Sequence, residues 1–250
     1  MNLLLVGYGK MGQEISKLAL SKGFNISGII TDNPKDWTRL PKPENQIAIE
    51  FTNPAAAPHN VVRLVELGYP VVCGTTGWWD QLPMISEIVT QHQGTLIYGG
   101  NFSIGMNVLF QLNEVLANWM NHLSDYDPYI LEKHHRHKAD APGGSARQLR
   151  EQILAASTHK SHAQSEAFRD RPPFPDELSE AWIRAGEIPG IHEVGYASAA
   201  DLIEIKHTAF NREGFAEGAL KAAHWAKNNK GVYNFSELLK KELNFNNSIS

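Results

Sequence analysis

A short apolar run, Leu3 to Val6, leads directly into Gly7-Tyr8-Gly9-Lys10-Met11-Gly12. Met11, Ile15, Leu18 and Ala19 then recur at helical spacing, with a stop expected near Gly23. Nothing else in the 250-residue chain restricts the fold as strongly. Glycines in this spacing allow a tight strand-to-helix turn, the approach of a pyrophosphate to the backbone, and close packing of helix on strand. The N–H groups of the helix start then face an anion. Asp32 ends a second strand expected at Ile26 to Thr31, about 20 residues past the last glycine, where a carboxylate can bind ribose hydroxyls. Gly7, Tyr8, Gly9, Lys10, Met11, Gly12 and Asp32 therefore read as a dinucleotide site, against the alternative of a plain structural turn. Asp32 disfavours a 2′-phosphate and no arginine follows it directly, which favours NADH over NADPH, although Lys35 is close.

The first hundred residues continue to alternate. Strands are expected at Ile47 to Thr52, Pro70 to Cys73 and Thr95 to Tyr98, with helices carrying Val61 to Val65 and spanning Gln81 to Gln91. Such alternation implies a parallel sheet with right-handed crossovers. Two further loops fall at the carboxyl ends of strands, where ligands bind in open α/β sheets. Gly74-Thr75-Thr76-Gly77 leaves room for a flat ring, or is simply a turn. Gly99-Gly100-Asn101-Phe102-Ser103 either caps the next helix through Ser103 or touches the cofactor, and spacing does not decide between them.

After Asn101 the pattern changes. One long helix is expected at Ile104 to Leu123, a strand at Pro128 to His135 and a helix at Ser145 to Ala156. Residues 160–180 are polar and proline-rich and read as an exposed loop. Strands follow at Ala181 to Ala185, His192 to Ala197 and Asp201 to Thr208, with antiparallel pairing plausible because no helices separate them. A last helix, Glu213 to Lys227, is expected to return to the first domain. The expected class is α/β: a Rossmann-type parallel sheet domain of residues 1–104 and 212–250, plus an α+β domain of residues 105–211 with a mixed or antiparallel sheet.

Net charge is −4, so no global basic field recruits nucleic acid or a membrane surface. Cys73 is the single cysteine, which excludes an intrachain disulfide. The start of the chain lacks a basic leader, and no apolar run approaches a membrane span, so a cytoplasmic protein is expected. Against this background Glu132 to Ala146, EKHHRHKADAPGGSA, concentrates positive charge. His134, His135 and His137 stand too close together on a strand to converge on one ion, and no metal is expected. A solvated basic face is the plain alternative, but it leaves Gly143-Gly144-Ser145 unexplained. Ser145 with Gln148 fits a capping box at a helix start, whose open N–H groups bind anions. The stretch reads as a carboxylate site beside a histidine or lysine able to donate a proton near neutral pH.

These residues resemble the dihydrodipicolinate reductase family. Its signature is similar to E-x-H-H-x-x-K-x-D-A-P-S-G-T-A, matched here by Glu132 to Ala146. GTTG at Gly74, GNFSIGMN at Gly100, RAGEIPGIHEV and HTAFNREGFAEGAL resemble its other segments. Gly143 and Ser145 stand where serine and threonine are usual, and Gly100 where alanine is. The resemblance implies NAD(P)H-dependent reduction of 4-hydroxy-tetrahydrodipicolinate, a cyclic dicarboxylate, to tetrahydrodipicolinate in lysine and diaminopimelate biosynthesis. It implies His134 as catalytic proton donor or acceptor and Lys138 as second proton donor. His135, Gly144 and Ser145 would bind substrate carboxylates. Gly7 to Gly12, Asp32, Gly74, Thr75, Thr76, Gly100, Asn101, Phe102 and Ser103 would hold the cofactor. A homotetramer built through the sheet of the second domain is implied too, with hinges near Ser103 to Gly105 and near Arg212.

Overall fold

A computed structural model describes residues 1–165 and 171–243. The chain forms two compact units, Met1–Ile104 together with the chain from Arg212 onward, and Gly105–Asn211.

The first unit is built on six parallel strands: β1 (Asn2–Val6), β2 (Asn25–Ile30), β3 (Gln46–Glu50), β4 (Val71–Cys73), β5 (Thr95–Tyr98) and β11 (Gly231–Asn234), in the order β11-β5-β4-β3-β1-β2. Strands buried on both faces read as continuous apolar runs. Leu3, Leu4, Leu5 and Val6 are all buried, and their alternation sends them to two different cores. Leu3 and Leu5 join Ile47, Ile49, Val72 and Ile97 beneath α1 (Lys10–Ala19) and α6 (Glu213–Ala226). Leu4 and Val6 join Ala48, Val71, Cys73 and Leu96 beneath α2 (Ala57–Glu66) and α3 (Leu82–Gln91). Strand order reverses between β1 and β3, which puts the glycine loop and the ends of β3 and β4 at the switch point where such sheets bind ligands.

The second unit holds β6 (Asp127–His134), β7 (His162–Gln164), β8 (Glu177–Arg184), β9 (Ile191–Ala197) and β10 (Leu202–Thr208), in the order β10-β9-β6-β8-β7. β9 pairs antiparallel with β6 and β10, whereas β8 pairs parallel with β6 and β7, so the sheet is mixed. Met106, Leu109 and Phe110 of α4 (Ile104–Met120) and Leu149 and Ile153 of α5 (Gly144–Ala156) pack on Ile130, Leu178, Val194 and Tyr196.

Several expectations change. The region 160–180 is not one loop, since β7 lies in it and β8 begins at Glu177; residues 166–170 lie outside the described residues. β8 does not pair with β9, because both flank β6. α4 ends at Met120, and β11 and a final helix, α7 (Phe235–Glu242), were not expected. Among the described residues no helix is long and apolar enough to cross a membrane.

Candidate active site

The three glycines of the first loop do different work. Gly7 has φ +92°, and a Cβ there would lie 2.2 Å from the Phe51 carbonyl oxygen. A Cβ on Gly12 would lie 2.3 Å from the Gly7 carbonyl oxygen. Both positions are closed by backbone. Gly9, which caps α1, has nothing within 4 Å, so the start of α1 stays open, and no acidic residue lies in its first turn. The loop thus fits a dinucleotide pyrophosphate at Gly9. Tyr8 and Lys10 are exposed, and Met11 leans on the core. Asp32 is exposed just past β2. Asp36, which sequence reasoning missed, accepts from Thr31 Oγ1 at 2.7 Å and Thr31 N at 2.9 Å, and these bonds hold its carboxyl below the usual range.

The loops after β3 and β4 are tied together from below. Glu50 is fully buried and accepts from the Thr52 hydroxyl, from Asn60 Nδ2 at 3.3 Å and from Cys73 Sγ at 3.2 Å. Thr75 Oγ1 accepts from Thr52 N at 2.8 Å, and Trp78 Nε1 donates to the Thr75 carbonyl at 2.8 Å. The Phe51 ring covers Gly74 so closely that a Cβ there would be 2.1 Å from it. Among the expected cofactor residues, Thr75 is therefore buried and its hydroxyl serves the fold, whereas Thr76 is exposed beside Gly100. The Phe102 ring is core, 6.0 Å from Phe51 and 4.6 Å from Phe235 between centroids, so its side chain builds the wall and does not offer a ligand contact. Asn101 supplies the side-chain acceptor at this turn, its Oδ1 receiving the Ser103 N–H at 2.8 Å.

In the second unit, strand alternation puts Pro128, Ile130, Glu132 and His134 on one face of β6, with burial easing toward His134. The Glu132 carboxylate, 1% exposed, is the centre of the cluster. Its Oε1 lies 3.2 Å from His134 Nε2 and 3.3 Å from Arg184 Nη2, and its Oε2 accepts the Gly143 N–H at 2.8 Å. Burial alone would raise its pKa, but the bonds from His134 and Gly143 and the charges of Arg184 and His192 outweigh this and bring it to about 2. Arg184 also donates to the Asp140 carbonyl at 2.7 Å. His192 sits 5.3 Å from His134 between ring centroids, and burial first, with the neighbouring basic side chains of His134, His207 and Lys138 adding, brings its pKa to about 4 against the pull of Glu132. Lys138 Nζ lies 2.6 Å from Asp140 Oδ1, and its end packs against Gly143, where a Cβ would be 2.9 Å from Cε.

The capping box is a correction. Gly143 is the N-cap of α5, so Ser145 is the second helical residue and not the capping one. Glu132, from a strand eleven residues back, takes the amide of the capping residue instead. The next amides, from Gly144 and the half-buried Ser145, open a first turn with no acidic residue.

The same two halves appear in known proteins. Residues 1–102 match the family model described as dihydrodipicolinate reductase, N-terminus, and residues 105–239 match the one described as its C-terminus. The chain belongs to the dihydrodipicolinate reductase family. A 4-hydroxy-tetrahydrodipicolinate reductase of Christiangramia forsetii is 38% identical over 240 residues, covering 96% of this chain and 98% of that one. One of Neisseria meningitidis serogroup C is 31% identical over 200 residues, covering 78% and 73%. The fold is shared with a dipicolinate-bound dihydrodipicolinate reductase from a Paenisporosarcina species, at TM-score 0.74 and 17% identity over 95% of this chain and 99% of that one. It is shared more loosely with an amine dehydrogenase from Mycobacterium smegmatis, at TM-score 0.59 and 12% identity over 94% and 95%.

As a member of the reductase family the chain is an oxidoreductase, and its charge pattern can be read for that chemistry. Glu132, His134 and His192 bring donor atoms within 4.8 Å of one another, the kind of grouping that holds a metal elsewhere. Here the carboxylate already faces a guanidinium and an amide N–H, and a cation added between them would confront Arg184. Among the described residues that grouping does not include His135 or His137, whose rings stand 6.3 Å from His134 to His135 and 6.1 Å from His135 to His137 between centroids. What remains beside the amides of α5 is a histidine held by one carboxylate and a lysine held by another. That arrangement can receive an anion and transfer a proton.

Proposed function

We propose the following roles in the reduction of 4-hydroxy-tetrahydrodipicolinate to tetrahydrodipicolinate, a step of lysine and diaminopimelate biosynthesis. His134 is the main proton donor or acceptor and Lys138 the second donor. The amides of Gly144 and Ser145, the Ser145 hydroxyl and His135 hold the substrate carboxylates. The observation that carries this reading is the meeting of His134 and the start of α5 at one buried carboxylate, which gives a proton-transfer group and an anion site a common support. Lys138 reaches the same helix start, and an arriving carboxylate would take its ammonium from Asp140.

The reduced nicotinamide supplies the hydride, which a ring carbon of the imine-conjugated dicarboxylate accepts as water leaves. Fixed positive groups around the carboxylates stabilise developing negative charge, and a protonated side chain completes the reduction. Gly9 with the start of α1 would carry the pyrophosphate and Asp32 the ribose, while Thr76 and Gly100 line the same crevice. Asp36 is committed to Thr31, which leaves Asp32 as the exposed carboxylate of that turn and supports NADH as the preferred cofactor. A homotetramer formed through the second sheet is supported by Leu202 and Ile203 on β10, 50% and 38% exposed, and by Phe210, 87% exposed. The lone buried cysteine suits a cytoplasmic protein.

The test is turnover. Dihydrodipicolinate synthase generates the substrate in the cuvette from pyruvate and aspartate semialdehyde, and oxidation of NADH and of NADPH is followed separately. Oxidation of both, with the larger kcat/KM for NADH, is expected. Absence of oxidation from folded protein that still binds nucleotide would refute the reading.

A further inference from the structure

We infer that Glu132 is a positioning residue that sets both halves of the substrate site from one carboxylate, aiming the His134 imidazole through Oε1 and fixing the start of α5 through Oε2. This rests on the roles given above to His134 and α5. Three facts carry it. First, the strand pattern makes position 132 an inward position in line with Pro128 and Ile130, where an apolar side chain would bury at no cost. A carboxylate there must be compensated, since unpaired burial of charge is expensive and a buried ion pair seldom stabilises a fold better than apolar packing does. Second, compensation is not left to Arg184 alone. Oε1 is shared between His134 and Arg184, while Oε2 is given to a backbone amide eleven residues away in sequence. Third, the ring that Glu132 holds is confined on another side by Gly190, where a Cβ would lie 2.8 Å from His134 Cε1 and 3.4 Å from Nδ1.

The chemical consequence is a defined tautomer. Glu132, being anionic, accepts, so Nε2 of His134 keeps its hydrogen and Nδ1 is the nitrogen that gains and loses the transferred proton. Because Oε2 also anchors Gly143, the proton donor and the anion-binding amides move as one piece. A residue that merely stabilised the unit would not link them.

The link is read by a double-mutant cycle on the full chain. Glu132→Gln should lower kcat about 100-fold, through His134, and raise the KM for the dicarboxylate about tenfold, through α5. His134→Gln should lower kcat with little change in KM. In the double variant kcat should fall no further than in His134→Gln, while KM stays raised. Glu132→Asp, which keeps the charge, should recover part of kcat. NADH affinity, a property of the other unit, should be unchanged throughout, and circular dichroism melts of each variant report that the unit carrying Glu132 is folded. Multiplicative losses in kcat, or an unchanged KM in Glu132→Gln, would overturn the inference. A measurement on the unaltered protein is independent of any variant's folding: ring 15N shifts of neutral His134 should show hydrogen on Nε2, and hydrogen on Nδ1 would equally overturn it. If instead His134→Gln keeps full kcat, the role of His134 fails first, whatever the tautomer.

Discussion

Gly190 leaves the His134 imidazole the volume that any other residue's side chain would fill. A Cβ at position 190 would stand 2.8 Å from His134 Cε1, closer than real Cβ atoms come. The ring is held by Glu132 and cannot retreat without breaking that contact. Gly190→Ala should therefore displace His134 and lower kcat about tenfold to 100-fold, with the affinity for NADH unchanged. Steady-state rates on the two variables decide it, and a wild-type kcat in Gly190→Ala would show that the ring position does not matter.

The glycine loop separates binding from packing. At Gly12 an added methyl group meets the Gly7 carbonyl, and overpacking of this kind costs about 1–3 kcal/mol. At Gly9 it meets nothing. Gly12→Ala is expected to lower Tm by several degrees, and Gly9→Ala to leave Tm alone while weakening NADH binding about tenfold. Thermal melts and fluorescence titrations of both variants would show the crossing pattern, and a Gly9→Ala protein with unchanged affinity would remove the pyrophosphate from that position.

Acid should destabilise the protein in two stages. His192 has a folded-state pKa of about 4 against an ordinary 6.5, so between those values the unfolded chain takes up a proton that the folded chain refuses. Stability then falls as pH falls, by about 1.4 kcal/mol per pH unit for one such group. His207 is lowered by burial and adds in the same direction. Glu132, lowered to about 2 from 4.5, contributes stability above pH 4.5 that is lost below it. His192→Gln should flatten the slope between pH 6.5 and 4 and leave the lower stage in place. Urea midpoints across that range test this, and an unaltered slope would mean that His192 is not buried as a neutral ring.

Cys73 should be chemically silent. It is fully buried, and burial first, then the charge and hydrogen bond of Glu50, push its thiol well above the ordinary range. A disulfide reagent such as Ellman's is expected to leave the native protein unmodified for hours at pH 8 and to react at once in denaturant. Fast labelling of native protein would contradict the closed network at Glu50.

Much of this was legible in the sequence because it is local. The turn at Gly7, the parallel strands, the long helix after Ser103 and the strand carrying His134 all follow from period and punctuation over a few residues. What escaped depends on partners far along the chain. β7 has only His162, Ala163 and Gln164, with no apolar run to mark it, and is a strand because β8 lies beside it. β11 is four half-buried residues completing the edge next to β5. The capping box at Ser145 failed for the same reason: the local pattern fitted, but a carboxylate from β6 already held the helix start. Arg184 and His192, invisible as site residues in their own segments, reach Glu132 and His134 only through the pairing of β8 and β9 with β6.

The first unit is interrupted by the whole of the second, and this has a consequence for how the protein is made. Synthesis delivers β1 to β5 first, but α6, which covers one face of that sheet, and β11, which closes its edge, come only after Arg212. A nascent chain therefore carries a half-clothed sheet with an open edge at β5 while more than a hundred further residues are added. The inserted unit has no such debt, since among the described residues all five of its strands and nearly all of its two helices lie within Gly105–Asn211. On the ribosome the later half of the reductase is ready to fold before the earlier half can finish.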